Sequence, residues 1–246
     1  MMQSLRYVAH VMRRDLARTT RFRLNSSARK HYHTTFQQCQ TLNEHFAFAD
    51  KMFGMGQIKT EILDFLGFAR QESPGAVCEI GTHLGGNSFL LSQGLPSATF
   101  FVGVDLYVQN KPQLRFFSQP SQQMEFVDGS SYSPRTVGRV RRLLGKRSLD
   151  LLFIDGDHRY DGVKRDFLHY RHLLREGGVI AFHDIVPDHR TRFGAAVSGY
   201  AGDVPRFWSR IRSLYPSWEF IQNPDQDGFG IGAIRYTAKV PLPENL

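Results

Sequence analysis

Acidic and imidazole side chains stand at the ends of two apolar runs in the second half of the chain. The run LDLLFID, which begins at Leu149, ends at Asp155, and His158 follows three residues later. The run GGVIAFHD ends at His183 and Asp184. Carboxylates and imidazoles bind cations and transfer protons near neutral pH, so these residue types predict a site with acid–base chemistry.

The segment between the two runs is polar, compatible with a helix and long enough for a crossover. The whole stretch from Leu149 to Val186 is therefore predicted to form a strand, a helix and a second, parallel strand. The carboxyl ends of parallel strands meet at one edge of a sheet, and ligands bind at that edge. The stretch thus predicts a site as well as a fold.

A glycine-rich turn follows an earlier strand that is predicted to be buried. The run AVCEI contains Glu79 as its one charged residue, and Gly81, Gly85 and Gly86 come directly after it, before a helix-compatible NSFLLSQGL. Such a turn lets a ligand approach bare backbone and the N-terminus of the next helix. The GxGxxG spacing of a dinucleotide site and the Lys-Ser/Thr pair of a P-loop are both missing, which argues against those two functions. A buried carboxylate such as Glu79 needs a partner.

Two further strands end in residues that suit a nucleoside. The run TFFVGVDLY contains Asp105 near its end, where a carboxylate can accept hydrogen bonds from ribose hydroxyls; a surface or capping aspartate is the alternative. The run MEFVDGSS ends in the small residues Gly129 and Ser130, which leave room for a base. Together with the later strands, these units predict an α/β fold with a doubly wound sheet, and the runs WEFIQ and FGIGAIRY predict two final strands.

The motifs EIGTHLGG, VDLY, VDGSS, FIDGDH and AFHDI resemble, in order and spacing, those of class I S-adenosylmethionine-dependent methyltransferases. More narrowly, the chain resembles the branch that includes macrolide sugar O-methyltransferases and cephalosporin hydroxylase-like proteins. The resemblance covers about residues 51–236. It implies a Rossmann-like, seven-stranded, mostly parallel sheet with a C-terminal antiparallel hairpin, and S-adenosylmethionine as the cofactor.

The resemblance also implies a role for each residue that matches a motif. His158 matches the general base, which is a lysine in the catechol O-methyltransferase and a histidine in the sugar-modifying branch. The implied metal ligands are Asp155, His183 and Asp184. The residues implied to bind the cofactor are Glu79, Gly81, His83, Gly85, Asn87, Ser88, Asp105, Gly129, Ser130 and Asp155.

His183 departs from the pattern of these enzymes, which usually have a carboxylate at its position. Imidazole favours Mn²⁺, Fe²⁺ or Zn²⁺ over Mg²⁺. If His183 is not a ligand, the metal site rests on two aspartates. We expect a divalent cation, Mg²⁺ or Mn²⁺, and His158 is either the base or a structural, helix-capping residue.

The positive charge of the chain is concentrated near its N-terminus. The net charge is +8 over 246 residues, and nearly the whole excess lies in residues 1–30, where Asp15 is the one acid. We expect residues 1–50 to form a basic extension, helical or partly disordered, and residues 51–246 to form the methyltransferase domain. The extension is a solvated or oligomerisation arm, a surface for nucleic acid or another anionic partner, or an Arg-rich transit peptide.

Other features bear on location and partners. No apolar run reaches the length of a membrane span, and no secretory signal is found. Cys78 lies in a predicted buried strand, which argues against a disulfide. We therefore expect a cytoplasmic location with reduced thiols. The N-terminal helices are candidates for homo-oligomerisation. The run KMFGMGQ, which ends at Gln57, suits the rim of a pocket.

The predicted function is metal-assisted transfer of a methyl group from S-adenosylmethionine to a hydroxyl of a small molecule such as a sugar or glycoside. Two alternatives remain open. One is a cofactor-binding interaction protein without catalytic activity, and the other is an RNA-modifying methyltransferase that uses the basic extension. An Asn-Pro-Pro-type motif for base methylation is absent, which weighs against nucleic acid as the substrate.

Overall fold

Seven strands form one sheet in the computed structural model, which describes residues 2–194, 200–244 and 246. The strands are short, and five of them are buried along most of their length, as expected for strands covered on both faces. In chain order they are β1 (Ala76–Ile80), β2 (Phe100–Asp105), β3 (Gln123–Asp128), β4 (Leu149–Ile154), β5 (Leu174–His183), β6 (Ser217–Phe220) and β7 (Ile231–Arg235).

Helices connect the strands, and four of them precede the sheet. The helices are α1 (Met2–Leu24), α2 (Ser26–Gln37), α3 (Leu42–Met52), α4 (Lys59–Gln71), α5 (Gly86–Gly94), α6 (Lys111–Phe117), α7 (Pro134–Leu144), α8 (Tyr160–Tyr170), α9 (His189–Phe193) and α10 (Val204–Ile211). None of the helices in the described part of the chain is long and apolar enough to cross a membrane.

The strand order is β3-β2-β1-β4-β5-β7-β6. The first five strands are parallel, and β7 runs antiparallel to both β5 and β6. The predicted doubly wound, mostly parallel sheet with a C-terminal antiparallel pair is therefore confirmed. The direction of strand addition reverses between β1 and β4, and a ligand-binding crevice forms at such a reversal in open α/β sheets.

The core lies in two layers, one on each face of the sheet. Alternate residues of β4 point to opposite layers: Leu152 and Ile154 belong to one cluster, and Leu151 and Phe153 belong to the other. Because successive side chains of a strand point to opposite faces, the face to which the last side chain points is fixed by those before it. Burial of both faces thus fixes the orientation of the side chains that follow β4.

The N-terminal extension is helical from residue 2 and packs on the domain. Phe22 of α1 is buried against the rings of Phe116 and Phe117, and Phe36 of α2 lies 5.2 Å, centroid to centroid, from Phe117. The boundary at residue 50 stays a prediction, and it falls inside α3, whose Phe48 belongs to the core. Aromatic contacts therefore hold the extension against the sheet-covering helices.

Candidate active site

The carboxyl ends of β1 and β4 approach each other closely at Gly81. The Asp155 N–H donates a 2.8 Å hydrogen bond to the Ile80 carbonyl oxygen. A Cβ added at Gly81 would lie 1.8 Å from the Asp155 carbonyl oxygen, and the φ angle of Gly81 is +89°. Only glycine fits such a position, so the first glycine of the loop is required by the backbone itself.

The remaining loop glycines admit a neighbouring segment. Gly85 is the N-cap residue of α5 and has a φ of +93°. A Cβ on Gly86 would lie 2.3 Å from the carbonyl oxygen of Gly54. The segment around Gly54, which follows α3, therefore packs against the N-terminus of α5. The free backbone N–H groups at a helix N-terminus can bind negatively charged ligand groups.

Glu79 is fully buried one residue before the end of β1, and it has the partners that its burial demands. The Asn87 side-chain amide donates to its Oε1 at 2.8 Å, and the Ser88 hydroxyl donates to its Oε2. Burial outweighs these hydrogen bonds and raises the pKa of Glu79 to about 8. The three residues, all predicted to bind the cofactor, form one buried polar group at the start of α5.

Replacement of this carboxyl is expected to change how stability depends on pH. The pKa of Glu79 is about 8 in the folded chain against an ordinary 4.5, so the folded chain keeps a proton that the unfolded chain loses, and stability falls as the pH rises through this window. Glu79→Gln removes that titration. Its stability relative to the parent should rise between pH 5 and pH 8 by on the order of 3 kcal/mol. Denaturant unfolding at both pH values measures this, and parallel profiles for the two chains would contradict it.

Asp105 lies at the end of β2, beside the glycine-rich loop. Its Oδ2 accepts a 2.8 Å hydrogen bond from the His83 N–H, and its Oδ1 accepts one from the Tyr107 N–H at 3.3 Å. Burial raises the pKa of Asp105, against the effect of these donors. Gly129 follows β3 with a φ of +145°, donates its N–H to the Asp105 carbonyl oxygen and is followed by the partly exposed Ser130. The predicted cofactor residues of three strands thus meet at one edge.

A second group of side chains lies at the ends of β4 and β5. The Nδ1 atom of His183 is 3.2 Å from Oδ1 of Asp155 and 3.3 Å from Oδ2 of Asp184. His158 lies across from them, with Nδ1 3.3 Å from Oδ2 of Asp184 and Nε2 3.7 Å from Oδ1 of Asp155. The four residues that the sequence placed at two strand ends are therefore in mutual contact.

The charges of this group balance each other. Burial acts to raise the pKa of Asp155, but the facing imidazoles of His183 and His158 outweigh it and hold that pKa well below its usual range. Burial acts to lower the pKa of both histidines, and the two carboxylates outweigh it: the pKa of His158 rises to about 9, and that of His183 rises well above its ordinary value. The carboxylates of Asp155 and Asp184 thus favour the protonated form of both imidazoles.

The structure distinguishes the two histidines. Ligand atoms of Asp155, His158 and Asp184 all lie within 4.8 Å of one another, a spacing that allows one cation to contact all three. His183 is 4% exposed, and its Nε2 has no hydrogen-bond partner among the described residues. Its Nδ1 instead contacts both carboxylates, as an orienting residue does. The geometry therefore makes His158 a further candidate ligand of the cation. His183 is either a ligand itself or a residue that orients the two carboxylates.

Two contacts of this group were not evident from the sequence. The Gln57 side-chain amide donates a 2.9 Å hydrogen bond to Oδ2 of Asp155, 98 residues away. The sequence run KMFGMGQ, which ends at Gln57, predicts only the rim of a pocket. The Tyr200 carbonyl oxygen lies 2.5 Å from Nδ1 of His158, and the Tyr200 ring stacks on the imidazole at 6.0 Å between centroids. Tyr200 stands in a long connection where no local pattern marks it.

Comparisons with known proteins agree with this architecture. A family model described as a methyltransferase domain matches residues 78–185. The uncharacterized protein y4gI of Sinorhizobium fredii is 26% identical over 167 residues, which cover 64% of this chain and 17% of that protein. The chain thus spans less than a fifth of the length of this relative.

Solved structures show the same fold at low sequence identity. The O-methyltransferase of Bacillus cereus in complex with SAH superposes with a TM-score of 0.53 and 15% identity, covering 81% of this chain and 93% of that one. The O-methyltransferase TomG of Streptomyces achromogenes, involved in tomaymycin synthesis and in complex with SAM, gives 0.53 and 16% identity over 81% of this chain and 92% of that one. These findings show that residues 78–185 match a methyltransferase domain and that the chain has the fold of these O-methyltransferase structures.

Proposed function

We propose that this chain transfers a methyl group from S-adenosylmethionine to a hydroxyl of a small molecule, assisted by a divalent cation. The observation that supports the proposal is a site in two adjoining halves. One half consists of buried polar groups and bare backbone after β1, β2 and β3, and the other consists of Asp155, His158, His183 and Asp184 after β4 and β5. The halves adjoin where Gly81 meets the backbone of Asp155.

The first half fits the cofactor by its chemistry. When bound, S-adenosylmethionine supplies a methyl group on a positively charged sulfur. Glu79 is a buried acid beside the glycine-rich loop, where it would face the polar methionine end of the cofactor. Asp105 presents a carboxylate at the end of β2, where it would accept hydrogen bonds from the ribose hydroxyls. The absence of a side chain at Gly81 lets the end of β1 lie against the backbone of Asp155, because an added Cβ would be 1.8 Å from the Asp155 carbonyl oxygen.

The second half fits a divalent cation by its donor set. Asp155 and Asp184 offer carboxylate oxygens within 4.8 Å of each other, a donor pair that suits Mg²⁺ or Mn²⁺ when water molecules complete the coordination. A cation held by Asp155 and Asp184 would lower the pKa of a substrate hydroxyl. Gln57 fixes the orientation of the Asp155 carboxylate by its hydrogen bond to Oδ2.

His158 is the residue best placed to take a proton from the substrate hydroxyl. Its Nδ1 faces the Tyr200 carbonyl oxygen, so this atom holds a proton and Nε2 is left as the acceptor. An imidazolium cannot act as a base, and the two aspartates raise the pKa of His158 to about 9. Positive charge added beside those aspartates would lower that pKa toward neutrality. The base role therefore depends on neutralisation of the carboxylates.

Calorimetry with S-adenosylmethionine tests the proposal. We expect binding by the full chain both with and without EDTA, because the cofactor half, which consists of Glu79, Asp105 and the glycine-rich loop, contains neither of the carboxylates that would hold the cation. Turnover, measured as release of S-adenosylhomocysteine in the presence of hydroxylated metabolites, should be lost in EDTA and restored by Mg²⁺ or Mn²⁺. Absence of cofactor binding would overturn the whole proposal, whereas turnover that persists in EDTA would remove only the cation. The cytoplasmic location and homo-oligomerisation stay predictions.

A further inference from the structure

We propose that the basic helix α1 forms part of the cofactor site, with Asp15 and Arg18 as positioning residues that hold the glycine-rich loop. They act through the segment Tyr107–Asn110, which joins β2 to α6 and is called the bridging segment below. Residues 1–50 lie outside the matched methyltransferase domain. The inference rests on the proposed function, since it assigns the extension to the binding of the same cofactor.

The first layer of contacts joins α1 to the bridging segment. Asp15 is only 5% exposed; its Oδ1 accepts a 2.8 Å hydrogen bond from the Asn110 N–H, and its Oδ2 accepts one from the Tyr107 hydroxyl at 3.1 Å. Arg18 donates from its guanidinium to Oε1 of Gln109 at 2.8 Å. Asp15, the one acid of this basic helix, is thus buried with hydrogen bonds to both of its carboxylate oxygens. Arg18 binds the same bridging segment.

The second layer joins the bridging segment to the glycine-rich loop. The side-chain amide of Asn110 donates to the Leu84 carbonyl oxygen at 2.9 Å, and that of Gln109 donates to the His83 carbonyl oxygen at 3.4 Å. Both amide side chains are buried. The His83 N–H in turn donates to Asp105, the acid proposed to bind the ribose. The hydrogen bonds that begin at α1 therefore reach the glycine-rich loop next to that acid.

The loop and the bridging segment both need such support. His83 and Asn110 have φ angles of +46° and +52°, in the left-handed region that residues with side chains rarely adopt. Conformations of this kind persist where surrounding contacts fix them. The amide of Asn110 holds the loop, and Asp15 holds the backbone of Asn110, so removal of the helix contacts should loosen both turns.

The contacts of α1 lie on one face of the helix. Val11, Asp15, Arg18 and Phe22 recur at the spacing of a single helical stripe, and each is buried or half-buried. Phe22 anchors the stripe against Phe116 and Phe117. Arg14 and Arg21 point away and are exposed. This difference within one helix supplies a matched control.

Titration calorimetry with S-adenosylhomocysteine, on the full chain, tests the inference. Arg18→Ala should weaken binding by about tenfold, the usual effect of losing one hydrogen bond from a charged donor, and Arg21→Ala should leave it unchanged within about twofold. Thermal unfolding shows that each variant is folded at the temperature used. Equal affinities for the two variants would overturn the inference, whereas absence of binding by the parent chain would overturn the proposed function as well.

A coupling measurement separates positioning from a general loss of stability. In the Gln109→Ala background, Arg18→Ala should have little further effect on affinity, because the contact through which it acts is already gone; additive losses would contradict this. Hydrogen–deuterium exchange of residues 81–86 gives a readout that needs no cofactor. Exchange there should be faster in Arg18→Ala and Asp15→Asn than in Arg21→Ala, and equal rates in all three variants would refute the inference.

Discussion

Gly81→Ala is expected to abolish cofactor binding and to destabilise the chain by about 3 kcal/mol. The added Cβ would lie 1.8 Å from the carbonyl oxygen of Asp155 and 2.9 Å from the Gly156 nitrogen. These are backbone atoms at the end of β4, so no side-chain rotation relieves the overlap. The φ of +89° adds strain of its own in any residue with a Cβ. The two strand ends that form the crevice would have to separate.

Denaturant unfolding and calorimetry with S-adenosylmethionine measure the two effects of Gly81→Ala. The matched control is Gly67→Ala, because Gly67 is an exposed glycine within α4 and an added Cβ meets nothing within 4 Å. That exchange should stabilise the chain by about 0.5–1 kcal/mol, since alanine loses less freedom than glycine in a helix. An unfolding midpoint for Gly81→Ala that equals the parent's would contradict the close approach of β1 and β4.

Much of the fold follows from local sequence patterns. Strands β1, β2, β4 and β5 were predicted from continuous apolar runs, and such runs mark strands that are buried on both faces. The acids at their ends were predicted to meet because parallel strands share one carboxyl edge. The hydrogen bonds from Asn87 and Ser88 then supply the partners that burial of Glu79 required.

Contacts between distant segments account for what the sequence could not show. Gln57 reaches Asp155 across 98 positions, and Asp15 reaches Tyr107 across 92. Neither contact leaves a periodic or compositional trace, because each depends on how two elements pack. Asp15 is the one acid among the basic residues 1–30, and it is buried where α1 packs on the domain.

The same limit applies to the histidines of the site. The resemblance implies that His183 binds the metal and that His158 is the base, yet ligand atoms of His158, Asp155 and Asp184 lie close enough together for one cation to contact all three. His183 is the more deeply buried of the two histidines. Spacing along the chain cannot tell which imidazole turns toward a shared point, since that depends on the loop after β4 and on Tyr200.

His158→Ala separates a base from a ligand, and its expected effect is a loss of turnover by a factor of about 10² to 10⁴. Affinity for S-adenosylmethionine should stay within about twofold, because the residue lies outside the cofactor half. A residue that acts only as a base does not coordinate the cation, so its removal should leave the affinity for the cation unchanged. Binding of Mn²⁺, followed by its paramagnetic resonance signal, should therefore be nearly unchanged in His158→Ala and strongly weakened in Asp184→Asn.

The control for this pair is His169→Ala, which removes a half-exposed histidine of α8 and should change neither turnover nor Mn²⁺ affinity. If His158→Ala loses Mn²⁺ as Asp184→Asn does, His158 is a ligand, and the proton must go to another acceptor. If it retains both turnover and Mn²⁺, its contacts with Asp155, Asp184 and Tyr200 are structural. The base assignment requires that turnover is lost while Mn²⁺ is retained, because a group that only accepts a proton acts on the barrier and leaves the bound ion in place.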